Sequence, residues 1–168
     1  FTEDGWLRTG DVAINKDGFL VMSDRKKELI LSGGFNVYPS QVEAAIRSMP
    51  GVKDVAVVGL PAGEAREEVT AALILEDDAP MITLAQVRAW AEKYVSHYAL
   101  PRQIAIITDL PRNPLGKVMR RKVKEQLLDP ANRMIESAQK AIGEAAAAVS
   151  ERLSPGDTAT EQKSDEND

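Results

Sequence analysis

Cysteine is absent from the 168 residues, and histidine occurs once, as His97. Without cysteine the chain can form no disulfide, no zinc–thiolate site and no iron–sulfur cluster, and it offers no thiol nucleophile. That absence fits a reducing compartment, so a cytoplasmic location is expected. A single histidine excludes a multi-histidine metal centre and would make any Ser-His-Asp triad depend on His97 alone. No run approaches the ~18 consecutive apolar residues of a membrane span. The longest apolar stretches, such as residues 55–60, are the length of a strand. A basic excess is also missing. The net charge is −5, and most of it sits in residues 154–168, where Asp157, Glu161, Asp165, Glu166 and Asp168 face only Lys163. The remainder is nearly neutral, which excludes the broad basic field of a nucleic-acid binder. Two nucleotide fingerprints are absent as well. Gly33-Gly34-Phe35 lacks the spacing of a dinucleotide loop. Residues 111–117 are not a P-loop, because Pro111 replaces its first glycine and Val118 its Ser/Thr.

What is present is the balance of a globular domain, 43% hydrophobic, 28% charged and 5% aromatic. The length suits one domain with an appendage. Basic residues do cluster locally, in Arg25-Lys26-Lys27 and in Lys117 with Arg120, Arg121, Lys122 and Lys124. Local patches on a nearly neutral domain suit a small anionic ligand better than a polyanion. The chain begins at Phe1 and enters at full complexity, as a piece of a longer protein would.

Hydrophobic periodicity and turn chemistry predict an α+β fold. Residues 11–15 and 19–23 alternate around Asp17-Gly18, a β-hairpin signal, since glycine supplies positive φ. A charged break at 24–28 precedes Leu29-Ile30-Leu31 and a turn at Ser32-Gly33-Gly34. Pro39 then opens a helix with Val42, Ala45, Ile46 and Met49 on one face. Strands are expected at 52–60, 69–75 and 103–108, forming a mixed or antiparallel three-stranded sheet packed on two helices. Thr83 is the N-cap of the second helix, expected to run to about Tyr98. Residues 118–128 form a short basic helix with Arg120, Arg121, Lys122 and Lys124 on a solvated face. Trp90 and Tyr94 are expected in the core, His97 at a helix end, and Glu67-Glu68 at the surface. Residues 129–153, Ala-rich with apolar residues three and four apart, are expected as an extra helix, ~35 Å long over its 23 residues from 131 to 153. Residues 154–168 are expected to be a disordered acidic tail.

Three loops could carry chemistry. In Arg8-Thr9-Gly10-Asp11, an acid after a glycine can present its carboxylate to paired hydroxyls, as ribose-binding acids do, or make a turn hydrogen bond. In Ser32-Gly33-Gly34-Phe35-Asn36-Val37-Tyr38-Pro39, paired glycines let backbone approach a ligand, or simply form a tight loop. In Pro111-Arg112-Asn113-Pro114-Leu115-Gly116-Lys117, two prolines stiffen a loop that ends in a lysine. Its ammonium could meet a developing negative charge or merely be solvated.

Taken together, the three motifs resemble, in order and spacing, the carboxy-terminal region of the adenylate-forming enzymes. That superfamily includes acyl-CoA synthetases, luciferase and peptide-synthetase adenylation domains. The stretch from Gly5 to Asp11 looks like its Arg-Thr-Gly-Asp motif. Asp24-Arg25-Lys26-Lys27-Glu28-Leu29-Ile30, followed by the glycine loop and Glu43, looks like its hinge and thioester loop. Residues 111–117 look like its terminal lysine motif. The likeness covers residues 1–128 and leans towards long-chain fatty acyl-CoA ligases.

The resemblance implies a division into residues 1–24, the end of a large amino-terminal domain, and 25–128, a mobile carboxy-terminal domain. It implies chemistry in which a fatty acid and ATP with Mg²⁺ give an acyl adenylate, and CoA then takes the acyl group. Lys117 would serve adenylation. Asp11 and Arg25 would hold the nucleotide, and Lys27 would be the hinge. Gly33, Gly34, Phe35 and Asn36 would meet CoA. ATP and Mg²⁺ would be held mainly by the chain's own amino-terminal domain, so this part would be inactive alone. The resemblance implies no nucleic-acid partner and no transmembrane segment, and leaves peripheral membrane association open. Two alternatives stand beside it: an enzyme that passes the acyl group to a carrier protein, and a non-catalytic interaction module that uses the helix at 131–153.

Overall fold

The computed structural model describes residues 1–63 and 66–129. The expected helix at 131–153 and the acidic tail lie outside the described residues. A hairpin comes first, β1 (Asp11–Lys16) and β2 (Phe19–Arg25), paired antiparallel. Asp17 and Gly18 sit at φ 52° and 87°, the double left-handed turn that an Asp-Gly pair accommodates. The Gly18 amide donates to Asn15 Oδ1 at 3.0 Å. β2 runs through Arg25, two residues past the expected end of the strand at 23, and leads into a single 3₁₀ turn, Lys26–Glu28.

A second small hairpin, β3 (Ile30–Ser32) with β4 (Phe35–Val37), replaces the expected plain loop. Its turn is again two residues, Gly33 at φ 58° and Gly34 at 85°. Ile30 and Val37, directly paired, are both buried and root the hairpin in the core. α1 (Pro39–Arg47) then begins with proline at its first turn, where no amide hydrogen is needed. Val42, Ala45 and Ile46 are buried and Met49 packs beside them, the face expected from their spacing.

The central sheet is mixed, in the order β5-β6-β7. β5 (Val52–Pro61) pairs antiparallel with β6 (Glu67–Leu75), and β6 pairs parallel with β7 (Gln103–Ile106). Val55 lies opposite Leu73 and Val57 opposite Ala71, and these join α1 and α2 (Leu84–Ala91) in one core. Ala56, Val58, Ala72 and Ala105 point the other way and pack on α3 (Arg120–Leu128) through Val123 and Leu127. Among the described residues the sheet is therefore covered on both faces by three helices, not two. A continuous apolar strand such as β6 is what burial on both faces demands.

α2 begins as expected, with a reciprocal capping box. Thr83 Oγ1 accepts from the Gln86 amide at 3.3 Å, and Gln86 Oε1 accepts from the Thr83 amide at 2.8 Å. It ends at Ala91, short of the expected Tyr98, and turns lead to a 3₁₀ segment, His97–Ala99. Val95 still packs against the core, but Tyr94 is exposed and Trp90 only half-buried. The periodicity at 94–98 comes from tight turns that return Ala99 and Leu100 to the core.

Candidate functional site

Asp11 and Arg25 stand at the open ends of β1 and β2 and face each other across the pair, beside a bulge between Asp11 and Ala13. Arg25 Nε lies 3.3 Å from Asp11 Oδ1. Gly10, at φ 76°, turns the chain so that its carbonyl accepts from the Lys26 amide at 2.7 Å. The result is an open cavity of about 350 Å³ lined by Thr9, Gly10, Arg25, Lys26 and Lys27. Three cations and one carboxylate beside a loop glycine suit an anionic ligand that also carries hydroxyl groups. The fold thus unites Asp11, Arg25 and Lys27 from either side of the first hairpin.

Gly33 and Gly34 form the tip of the second hairpin, and Phe35 and Asn36 are the first residues of its second strand, β4. A Cβ on either glycine would meet nothing within 4 Å, so positive φ, not crowding, requires glycine there. The tip projects free while its stem is fixed by Ile30, Val37 and a Leu31 amide bond to Glu67 Oε2 at 3.4 Å. Phe35 stacks on Tyr98, with ring centroids 4.7 Å apart and planes 19° from parallel.

Lys117 closes the third loop. Asn113 Oδ1 accepts from the Lys117 amide at 2.8 Å and from the Leu115 amide at 3.0 Å. The Asn113 amide donates to the Lys117 carbonyl at 2.9 Å, and Arg112 pairs with Val118 as an isolated bridge. The Lys117 backbone is therefore held on both sides, while its exposed ammonium enters no ion pair among the described residues. No hydrogen bond or ion pair joins Lys117 to Asp11, Arg25 or the Gly33-Gly34 turn among those residues.

The basic helix departs from its expected solvated face. Arg120 is largely buried, donating from Nε to Glu43 Oε1 at 2.9 Å, from Nη2 to Glu43 Oε2 at 2.7 Å and from Nη1 to Glu28 Oε2 at 2.5 Å. Asp24 Oδ1 lies 3.7 Å from the same guanidinium, and Asp24 Oδ2 accepts from the Ser40 hydroxyl at 2.6 Å. Burial alone would lower the Arg120 pKa. The hydrogen bonds and charges of Glu43 and Glu28 outweigh it and hold the pKa above arginine's ordinary value. Lys124 likewise pairs with Glu67 at 2.7 Å. Arg121 and Lys122 do remain exposed. Glu28, at the end of the charged segment after β2, is thus tied to α3 through Arg120, while Lys26 and Lys27 are exposed. Glu43 lies among the buried residues of α1, where a carboxylate requires a partner.

Residues 41–117 match the AMP-binding enzyme C-terminal domain. The chain is 38% identical over 125 residues to a long-chain-fatty-acid–CoA ligase of Salmonella typhimurium, covering 74% of this chain and 22% of that one. It is also 38% identical over 125 residues to long-chain-fatty-acid–CoA ligase FadD13 of Mycobacterium tuberculosis, covering 74% and 24%. The chain thus spans less than a quarter of the length of these relatives. Among solved structures, ATP-bound MatB from Rhodopseudomonas palustris aligns with a TM-score of 0.70 at 35% identity, over 77% of this chain and 26% of that one. Bacillus subtilis o-succinylbenzoate CoA synthetase, in complex with its acyl-adenylate intermediate, aligns at 0.65 and 31%, over 73% and 25%. With the motifs, the mixed sheet and these likenesses in agreement, residues 41–117 are an AMP-binding enzyme C-terminal domain.

Proposed function

We propose that this chain is the mobile carboxy-terminal domain of an ATP-dependent fatty acyl-CoA ligase, acting with a larger amino-terminal domain in the cytoplasm. In the first step a fatty-acid carboxylate oxygen attacks the α-phosphorus of ATP, and pyrophosphate leaves. In the second, the CoA thiolate sulfur attacks the acyl carbon, and AMP leaves with the electron pair of the acyl–oxygen bond. Lys117 stabilises the negative charge that builds during the first step. Asp11 accepts hydrogen bonds from the ribose hydroxyls and Arg25 contacts the nucleotide. The Gly33-Gly34 turn, with Phe35 and Asn36, borders the path of CoA in the second step, and Lys27 is the pivot between the two poses. The Mg²⁺ that accompanies ATP is held mainly by the amino-terminal domain in this reading, as the family resemblance implies.

The single observation that carries this reading is the Lys117 loop. Its backbone is pinned while its ammonium has no ion-pair partner among the described residues. A fixed cation with no countercharge is electrostatically available to an anionic transition state. The names of the fatty-acid ligases at 38% identity favour that substrate class. Neither alternative has an observation in its favour, and the interaction-module reading rests on residues outside the described ones.

The test is fatty-acid-dependent ATP–pyrophosphate exchange by the intact enzyme, with CoA withheld. Lys117→Ala is expected to lower exchange by about a hundred- to a thousandfold while sparing thioester formation from preformed acyl adenylate. Equal loss of both steps overturns the assignment. Absence of exchange with every fatty acid in the wild type overturns the substrate class.

A further inference from the structure

Resting on the role given to Lys117 above, we propose that Asp54 and Arg112 are positioning residues that aim this lysine during adenylation. Asp54 stands just past a bulge in β5, where the pairing steps from Val52–Leu75 to Asp54–Ile74 and Lys53 is the extra residue. A bulge re-aims the side chain beside it. Here it leaves the Asp54 carboxylate mostly buried at the sheet margin, with Oδ1 accepting from the Val55 amide at 2.8 Å and from Arg47 Nη2 at 3.3 Å. Oδ2 accepts from Arg112 Nη2. The other arm of the same guanidinium, Nη1, donates to the Gly116 carbonyl at 2.5 Å.

That carbonyl belongs to the peptide unit joining Gly116 to Lys117. The amide of the same unit donates to Asn113 Oδ1 at 2.8 Å. Both polar ends of the plane that sets the direction of the Lys117 Cα–Cβ bond are therefore held. One end is held from within the loop, the other through Arg112 from the rigid sheet. Pro111 and Pro114 each fix a φ angle in the loop, and Gly116 takes φ 79°, which glycine adopts without strain. The arrangement has little to do with stability, since Arg112 is about half exposed, and ion pairs at such sites stabilise a fold weakly. Its consequence is geometric: a four-carbon side chain can reach one place reproducibly only if its root is fixed.

The experiment compares Asp54→Asn, Arg112→Ala and the double variant in the intact enzyme, with Lys117→Ala as control. Pyrophosphate exchange and thioester formation from preformed acyl adenylate are measured separately. Each single variant should lower kcat for adenylation about tenfold, with KM for ATP within about twofold, leave the thioester step unchanged and melt close to wild type. The double variant should be no slower than the worse single one, because both break one chain of contacts. Arg112→Lys should not restore the rate, because a single ammonium cannot bridge a carboxylate and a carbonyl as the guanidinium fork does. Additive losses, equal losses in both steps or unaltered exchange overturn the inference. If Asp54→Asn unfolds the sheet, Arg112→Ala alone carries the test, because Arg112 lies in an exposed loop. If Lys117→Ala itself keeps wild-type exchange, the role of Lys117 fails and this inference fails with it. If Lys117→Ala loses exchange and Arg112→Ala does not, only this inference fails.

Discussion

Arg120 draws together Asp24, Glu28 and Glu43, which lie on three different segments. The Asp24 and Glu43 side chains are only 2% and 11% exposed. Glu43 Oε1 also accepts from the Val57 amide at 2.9 Å, so the cluster reaches into the sheet. Truncating a cation among buried carboxylates leaves uncompensated charge, and Arg120→Ala should cost about 3 kcal/mol in urea unfolding of the domain. The Arg120 pKa is raised in the folded state, so its contribution is present below arginine's ordinary value and is lost only as pH climbs through the raised value. The deficit of Arg120→Ala should therefore be the same at neutral and mildly alkaline pH. A deficit that disappears over that range would contradict the assignment. Lys117, Asp11, Arg25 and Gly33-Gly34 could be singled out as candidates in the sequence because each belongs to a short contiguous motif. Arg120 was not, because its partners lie 77 to 96 positions away and its own neighbours, Arg121 and Lys122, are solvated.

At the scale of elements, long periodic segments were legible and short or interrupted ones were not. β5, β6, α1 and the start of α2 carry their own apolar pattern and punctuation. β4 is three residues of mixed polarity and exists because Val37 pairs with Ile30 over the core. Gly59 in β5 drew no notice for the same reason, since its role depends on residues remote in sequence. A Cβ there would stand 2.9 Å from Ile30 Cγ2 and 2.7 Å from Glu67 Oε2. Neither neighbour gives way easily. Ile30 is buried, and Glu67 is held by Lys124 and by the Leu31 amide. Gly59→Ala should therefore destabilise the domain by about 1–3 kcal/mol, as overpacked cores are. Urea unfolding of the Gly59→Ala domain reads that loss. A Gly59→Ala variant as stable as wild type would show that β3 does not press on the sheet.

Across the whole molecule, two kinds of surface meet at Arg25. On one side the three-stranded sheet is sealed on both faces, with α1 and α2 over Val55, Val57 and Leu73 and α3 over Ala56 and Val58. On the other side the first hairpin leaves Ile14, Phe19, Leu20, Val21 and Met22 exposed, with Phe19 and Leu20 at 75% each. Adjacent residues on a strand point to opposite faces, so apolar side chains stand uncovered on both sides of this ribbon. An isolated two-stranded hairpin is marginal in water, and Asp24, through Ser40 and Arg120, secures only its last residues. If the hairpin is the margin of a larger amino-terminal domain, as proposed, its amides gain their protection from that domain. Hydrogen exchange should then show residues 11–22 exchanging rapidly in the 168-residue chain, while residues 55–58 and 69–73 stay protected. In the intact enzyme both sets should be slow. Protection of residues 11–22 in the 168-residue chain equal to that of the sheet would mean that the hairpin belongs to this domain, and would move the boundary between the two moving bodies upstream of Asp11.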